Sequence, residues 1–201
     1  LLIVMLISRL ILSAEQLSFF GDAETHHLVI LDDSGSMRDR VDGKNAFQTA
    51  LTVVRKIANE GSRRSGAKLS IIRMSRPENP IISQQIVDEV LLNELATKFE
   101  NASCSHQSVD LVKCLEVSKT LLGAQRTDIK HLHLISDFRL RDWQDQNALH
   151  GVLKGLATAN VSINFVKTTT VRNRNLAIVD LTGDLQVAAV GVPVHMTLKV
   201  K

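Results

Sequence analysis

Apolar residues along this chain alternate between short unbroken runs and longer stretches where they recur every three or four positions. The run HLVIL (27–31) is bounded by turn residues and is nearly continuous, the pattern of a strand buried on both faces. Phe47, Ala50, Leu51, Val54, Ile57 and Ala58 then make one helical stripe, predicting a helix over 45–59. GSRRSG (61–66) breaks it, and AKLSIIRMS (67–75) reads as a second strand. RPENP is a turn, IISQQIVD (81–88) a short edge strand, and Val87, Leu91, Leu95 and Phe99 form a second helical stripe. A polar loop (101–108) precedes a third stripe of Leu111, Leu115, Ser118 and Leu122. KHLHLISDF (130–138) is a strand that ends at an aspartate. Asp145 is placed to cap a fourth helix carrying Leu149, Val152, Leu153 and Leu156. VSINFV (161–166) alternates as a further strand.

Strands separated by helices in this way predict an α/β domain with a Rossmann-like, mainly parallel sheet and helices on both faces. Right-handed crossovers bring the strand carboxyl ends to one edge, where ligands of open α/β sheets bind. Asp32 and Asp137 both stand at such ends.

The two ends of the chain read differently. Residues 1–14 are strongly apolar, shorter than the ~20 needed to cross a bilayer as a helix, and we expect part of a transmembrane segment there. Residues 15–24 read as a connector. From 176 to 201 there is no helical stripe. Val194, Met196, Leu198 and Val200 alternate with polar residues, which predicts the start of a β-sandwich-like module.

Composition narrows the function. Among 201 residues the net charge is +3, and aromatics are 3% with no tyrosine. That leaves almost no stacking platform for single-stranded nucleic acid, so we expect no nucleic-acid partner. The two cysteines, Cys104 and Cys114, form no CxxC pair and read as free thiols in a loop and on a helix.

The chemistry concentrates in LDDSGSM (31–37). Asp32, Ser34 and Ser36 leave the strand end at alternate positions, with Gly35 between the serines. One carboxylate and two hydroxyls are hard oxygen ligands suited to Mg²⁺ or Mn²⁺. Asp137 is placed to add another oxygen, directly or through water. The other reading is a turn in which Ser34 or Ser36 caps the following structure. An enzymatic alternative, a Mg²⁺-dependent phosphohydrolase, lacks a second aspartate two residues after Asp32 and a phosphate-gripping lysine loop.

LVILDDSGSM, the helix after it and the later LISDF resemble the metal-ion-dependent adhesion site of von Willebrand factor type A domains, over roughly 25–170. The resemblance implies that fold and gives Asp32, Ser34, Ser36 and Asp137 the role of metal ligands. It also implies a non-catalytic module that binds a partner's acidic side chain through the metal. In that family a threonine completes the site. Here Val109 takes its position in SVDLVKCLE, and Ser108 or Ser105 is expected to substitute, with Asp110 close by. A metal-free scaffold of the same fold is the further alternative. The apolar segment before the domain and the β-module after it resemble bacterial Bat-type, aerotolerance-related membrane proteins. That likeness implies attachment to a bacterial inner membrane and a MoxR-like ATPase as partner. Arg139, Arg141 and Trp143 follow the later aspartate and are expected to help select the partner, as arginine and tryptophan dominate interface energetics. His131 and His133 share a strand face, but the sequence shows no second pair of zinc ligands for them.

Overall fold

The computed structural model describes residues 24–41, 43–123, 129–169, 178–183 and 195–200. The expected membrane segment (1–14) and nearly all of the connector (15–24) lie outside them. Among the described residues no helix is long and apolar enough to cross a membrane. The chain divides into two compact units, Leu1–Thr169 and Thr170–Lys201.

The first unit is a five-stranded sheet with helices on both faces. Its strands are β1 (Thr25–Leu31), β4 (Lys68–Arg73), β5 (Ile82–Ile86), β6 (Ile129–Ser136) and β7 (Val161–Lys167), in spatial order β5-β4-β1-β6-β7. The pairs β1–β4, β1–β6 and β6–β7 are parallel, and only β4–β5 is antiparallel. A two-residue ladder, β2 (Arg40–Val41) with β3 (Lys44–Asn45), folds back before the first helix. The sequence reading did not anticipate this ladder.

Four helices carry the stripes. α1 (Ala46–Ser62) starts at a capping box, in which the Asn45 side chain accepts from Gln48 N and the Gln48 side chain accepts from Asn45 N. α2 (Glu89–Glu100) is capped by Asp88, whose carboxylate accepts from Leu91 N at 2.8 Å. α3 is Leu111–Gly123. α4 (Gln146–Thr158) is capped by Asp145 through Ala148 N, as the sequence predicts.

Alternation along β1 explains why its run is apolar throughout. Val29 and Leu31 join Leu69, Ile71 and Ile135 on one face, beneath Phe47, Val54, Leu91 and Leu95 of α1 and α2. Leu28 and Ile30 join Ile72, Leu132 and Leu134 on the other, beneath Leu115 and Leu122 of α3 and Leu149 and Leu156 of α4. A strand between two helix layers has no solvent face. Cys104 and Cys114 are both buried and free, one before α3 and one on it.

In the second unit, β8 (Ile178–Gly183) pairs antiparallel with β9 (Met196–Val200). The alternating 196–200 stretch is therefore a strand, while the rest of the expected module is largely outside the described residues.

Candidate functional site

The parallel order puts the ends of β1 and β6 side by side, and Asp32 N donates to Ile135 O at 3.0 Å. The chain after β1 turns into a 3-10 turn (Gly35–Arg38) with Met37 driven into the core. This turn holds Ser34 and Ser36 beside the strand end. Their hydroxyl oxygens lie 3.0 Å apart. Asp32 is fully buried. One of its oxygens accepts from Ser34 N at 2.9 Å and the other from Ser136 Oγ at 2.5 Å. Burial pushes its acid up, and the nearby Asp137 charge adds to this, while the bonds from Ser136 and Ser34 hold it down.

Asp33 points elsewhere. It too is fully buried, and it accepts from Ser75 N at 2.9 Å and Ser75 Oγ at 2.6 Å, tying the end of β1 to the loop after β4. The second aspartate of the motif is therefore a structural clamp.

Asp137 follows β6 and is 7% exposed. Its Oδ2 accepts from Arg139 Nε at 2.8 Å. Its Oδ1 is buried with no hydrogen-bond partner. A buried carboxylate oxygen without a donor is costly, and such a group calls for a cation or a water. The other end of the Arg139 guanidinium pairs with Asp39, at the end of the 3-10 turn. Arg139 thus staples the two loops that carry the motif. Phe138, between these residues, adopts φ 56°, a left-handed conformation that a bulky residue rarely takes. Its backbone N–H donates to Ser136 Oγ, and its ring packs with Trp143 and Phe165 at centroid distances of 5.8 and 6.1 Å.

A cleft of about 1070 Å³ opens in front of this edge, bordered by Ser34, Ser36, Ser108, Asp110, Arg141 and Asp142 among others. Val109 also borders it but packs against the core below. Ser108 is exposed on the same loop. The Ser105 hydroxyl accepts from Gln107 N within its own loop, and its backbone N–H donates to Asp33 O. Asp110 accepts from Lys113 N at the start of α3. The structure therefore brings Asp32, Ser34, Ser36 and Asp137 to one edge, with Ser108 across the cleft.

The three expected partner contacts divide. The side chain of Arg141 is 74% exposed and borders the cleft. Arg139 is engaged by two carboxylates, and Trp143 sits in the aromatic cluster that anchors its loop. Two residues were missed by sequence reasoning. Asp142 has a side chain only 6% exposed, and burial, with the charges of Asp32 and Asp137, pushes its acid up. Arg38 reaches across to Cys104 O and His106 Nε2, fixing the serine turn to the loop before α3. Neither has a local signature. Each is defined by the loop it meets.

The sequence profile of the von Willebrand factor type A domain matches residues 27–139, more than half of the chain. The chain belongs to that family. Solved structures similar to this von Willebrand factor type A protein share its fold at low identity. The conserved hypothetical protein BatB from Bacteroides thetaiotaomicron matches with a TM-score of 0.54 and 13% identity, over 71% of this chain and 66% of that one. An aerotolerance-related membrane protein from Bacteroides fragilis, solved with multiple mutations to serines, matches with a TM-score of 0.54 and 13% identity over 87% and 81%. The SpRpn10 VWA domain reaches a TM-score of 0.56 at 11% identity, over 71% and 74%. This chain thus spans just under two thirds of the BatB chain. No curated protein matches it.

A divalent cation is the group this family's motif implies, and the residues present fit one. The donors are a buried carboxylate, two hydroxyls in mutual contact and the unpartnered Asp137 oxygen. Among the described residues no three His, Cys, Asp or Glu side chains form a metal cluster.

Proposed function

We propose that this protein is a non-catalytic protein-interaction module that engages an acidic side chain of its partner at the carboxyl edge of the sheet. The observation that carries this reading is the buried, unpartnered oxygen of Asp137 beside the Asp32, Ser34 and Ser36 donors. Asp32, Ser34, Ser36 and Asp137 would hold Mg²⁺ or Mn²⁺, with Ser108 standing in for the threonine that Val109 replaces. The cation, when bound, supplies an open coordination position for a carboxylate. Arg141, exposed at the cleft, adds a second positive contact to an acidic partner. The reading extends to attachment to a bacterial inner membrane through residues 1–14, in keeping with the name of the Bacteroides fragilis membrane protein, and to a MoxR-like ATPase as the partner class.

One observation favours a second reading, a metal-free scaffold. Arg139 already places a cationic group on Asp137. Calorimetric titration of Mg²⁺ and Mn²⁺ into the chain, beside Asp32→Ala, separates the two. Saturable heat that disappears in the variant supports the metal-dependent reading. Absence of heat with wild type and with Val109→Thr leaves the scaffold.

A further inference from the structure

A second cleft opens at the end of β1 and β4, on the side of the sheet packed by α1 and α2, and nothing in the proposed site uses it. Its volume is about 480 Å³, within the roughly 300–1,000 Å³ of small-molecule sites. Leu31 of β1, Phe47 and Leu51 of α1 and Phe99 of α2 give it apolar walls, and Arg73 and Lys98 bring its charges. Loops 79–81 and 101–103 complete the lining. The first is pinned to β4, since Ile81 N donates to Ile71 O at 2.8 Å.

Arg73 is the last residue of β4 and pairs in register with Leu31. Alternation sends its side chain to the face where Leu69 and Ile71 are buried under α1 and α2. The guanidinium stays protonated, and withdrawing it from water calls for an anion or a hydrogen-bond acceptor. Arg73 is half-buried, and its Nε is buried with no hydrogen-bond partner. Among the described residues it forms no ion pair. Lys98 differs. Its ammonium pairs with Glu94 at 2.9 Å and donates to Ile81 O at 3.2 Å. No acidic residue is among the described residues of the lining. The cleft therefore carries one uncompensated positive charge among apolar walls.

One charge selects a monoanion. A carboxylate matches it, and its two oxygens fit the forked N–H groups of a guanidinium. A phosphate dianion would bring a second charge that Lys98, held by Glu94, does not meet. The buried Nε is not itself the contact. It marks how far the group is withdrawn from water, which strengthens an anion on the remaining N–H groups. We propose that this cleft binds a carboxylate at the head of an apolar body, the carboxylate on Arg73 and the body against Phe47, Leu51 and Phe99. Two sources share that chemistry: a free short-chain organic acid, and the C-terminal end of a peptide with an apolar last residue. The inference is independent of the proposed function, because none of the proposed metal ligands lines this cleft.

The test is titration of the isotope-labelled chain with hexanoate and with N-acetyl-leucine, followed through backbone amide resonances. Chelator is present throughout, so that no cation at the carboxyl edge attracts the acid. We expect saturable shifts at Phe99 and Ala102, both in the lining. Hexanamide, of the same body without the charge, should bind about tenfold more weakly or worse, the step expected for one charge-assisted hydrogen bond. Arg73→Gln should weaken hexanoate to the same extent. Arg63→Gln, at an exposed arginine paired with Glu60, should leave it unchanged. Tighter binding of hexanoate assigns the site to a free acid, and tighter binding of N-acetyl-leucine to a chain end. No saturable shift with either acid, shifts confined to Ser34 and Ser108, or equal affinity for hexanamide overturns the proposal. So does unchanged affinity in Arg73→Gln. The hexanamide comparison uses wild type alone and decides the matter should Arg73→Gln fail to fold.

Discussion

The adjacent aspartates of the motif should respond in opposite senses to the same substitution. Asp33 accepts two hydrogen bonds from Ser75, at 2.9 and 2.6 Å, and nothing else in its surroundings replaces them. Asparagine at 33 keeps the shape but turns two charge-assisted bonds into neutral ones. Bonds to charged groups contribute about 1.5–3 kcal/mol each and neutral ones roughly half of that. The loss is then about 2 kcal/mol, or a fall in Tm of about 4–8 °C for a domain of this size. Asp32 is the reverse case. Burial and the Asp137 charge raise its acid, so the fold disfavours its ionised form at neutral pH. Asn at 32 removes that penalty while still offering groups to Ser34 N and Ser136 Oγ. Asp32→Asn should leave stability unchanged or raise it. The assay is urea unfolding in chelator, followed by Trp143, the single tryptophan, which packs between Phe138 and Phe165. Asp33→Asn should lower the midpoint at constant m value. Equal destabilisation by both variants, or a larger loss from Asp32→Asn, would refute the division into clamp and binding group.

Asn160, which follows α4, has φ 55° and is exposed. Asn160→Gly should gain a few tenths of a kcal/mol, and Asn160→Val should lose about 1–2 kcal/mol in the same unfolding assay, since a branched residue resists the left-handed region. His26, His27 and His133 have folded values of about 4, 3 and 4 against 6.5 for the free group, all lowered first by burial. Below pH 6.5 the unfolded chain takes up protons that the fold refuses, so these groups destabilise as pH falls from 6.5 towards 4 and are neutral above it. Asp32 and Asp142, raised, oppose this trend at its acid end. The measurement is therefore Tm against pH for wild type and for His133→Gln. A variant with the same slope as wild type between pH 6.5 and 4 would rule out the histidine contribution.

What was legible in the sequence follows the range of the forces involved. β1, β4 and β6 announce themselves because burial on both faces demands apolar runs, the edge strand β7 by its alternation, and the helices because one-sided burial demands stripes. The cap at Asp145 was legible because it acts within four residues, and the caps at Asn45 and Asp88, though as local, were not anticipated. Asp32, Ser34 and Ser36 were legible for the same reason, their spacing being local. Contacts between loops were not. Nothing near Arg139 in sequence says that it turns back to Asp137 and reaches Asp39, and nothing near Trp143 foretells Phe165. The stacking of His27 on His131 and His133 was half visible, as the latter two. Aligning the strands on their terminal aspartates would have brought His27, five residues before Asp32, within one position of His131, six before Asp137. That alignment needs the strand order, which local pattern does not contain.

Val109 and Arg139 bear on the same balance at the carboxyl edge. Valine takes away a neutral oxygen donor, and its side chain is used instead to cover the core around Leu111. Arginine brings a fixed positive charge onto Asp137, the carboxylate that most needs a cation. Each change would weaken a divalent ion at the proposed site relative to one with threonine and a free aspartate. Neither reaches the whole donor set, because Arg139 occupies only Oδ2 and leaves Oδ1 buried without a donor. An arginine that had replaced the metal outright would satisfy both oxygens in a bidentate fork, the geometry guanidinium and carboxylate favour. Here the fork is split, Nε to Asp137 and Nη2 to Asp39. That split is the geometry of a staple between two loops, and it leaves the Oδ1 of Asp137 outside the reach of the guanidinium.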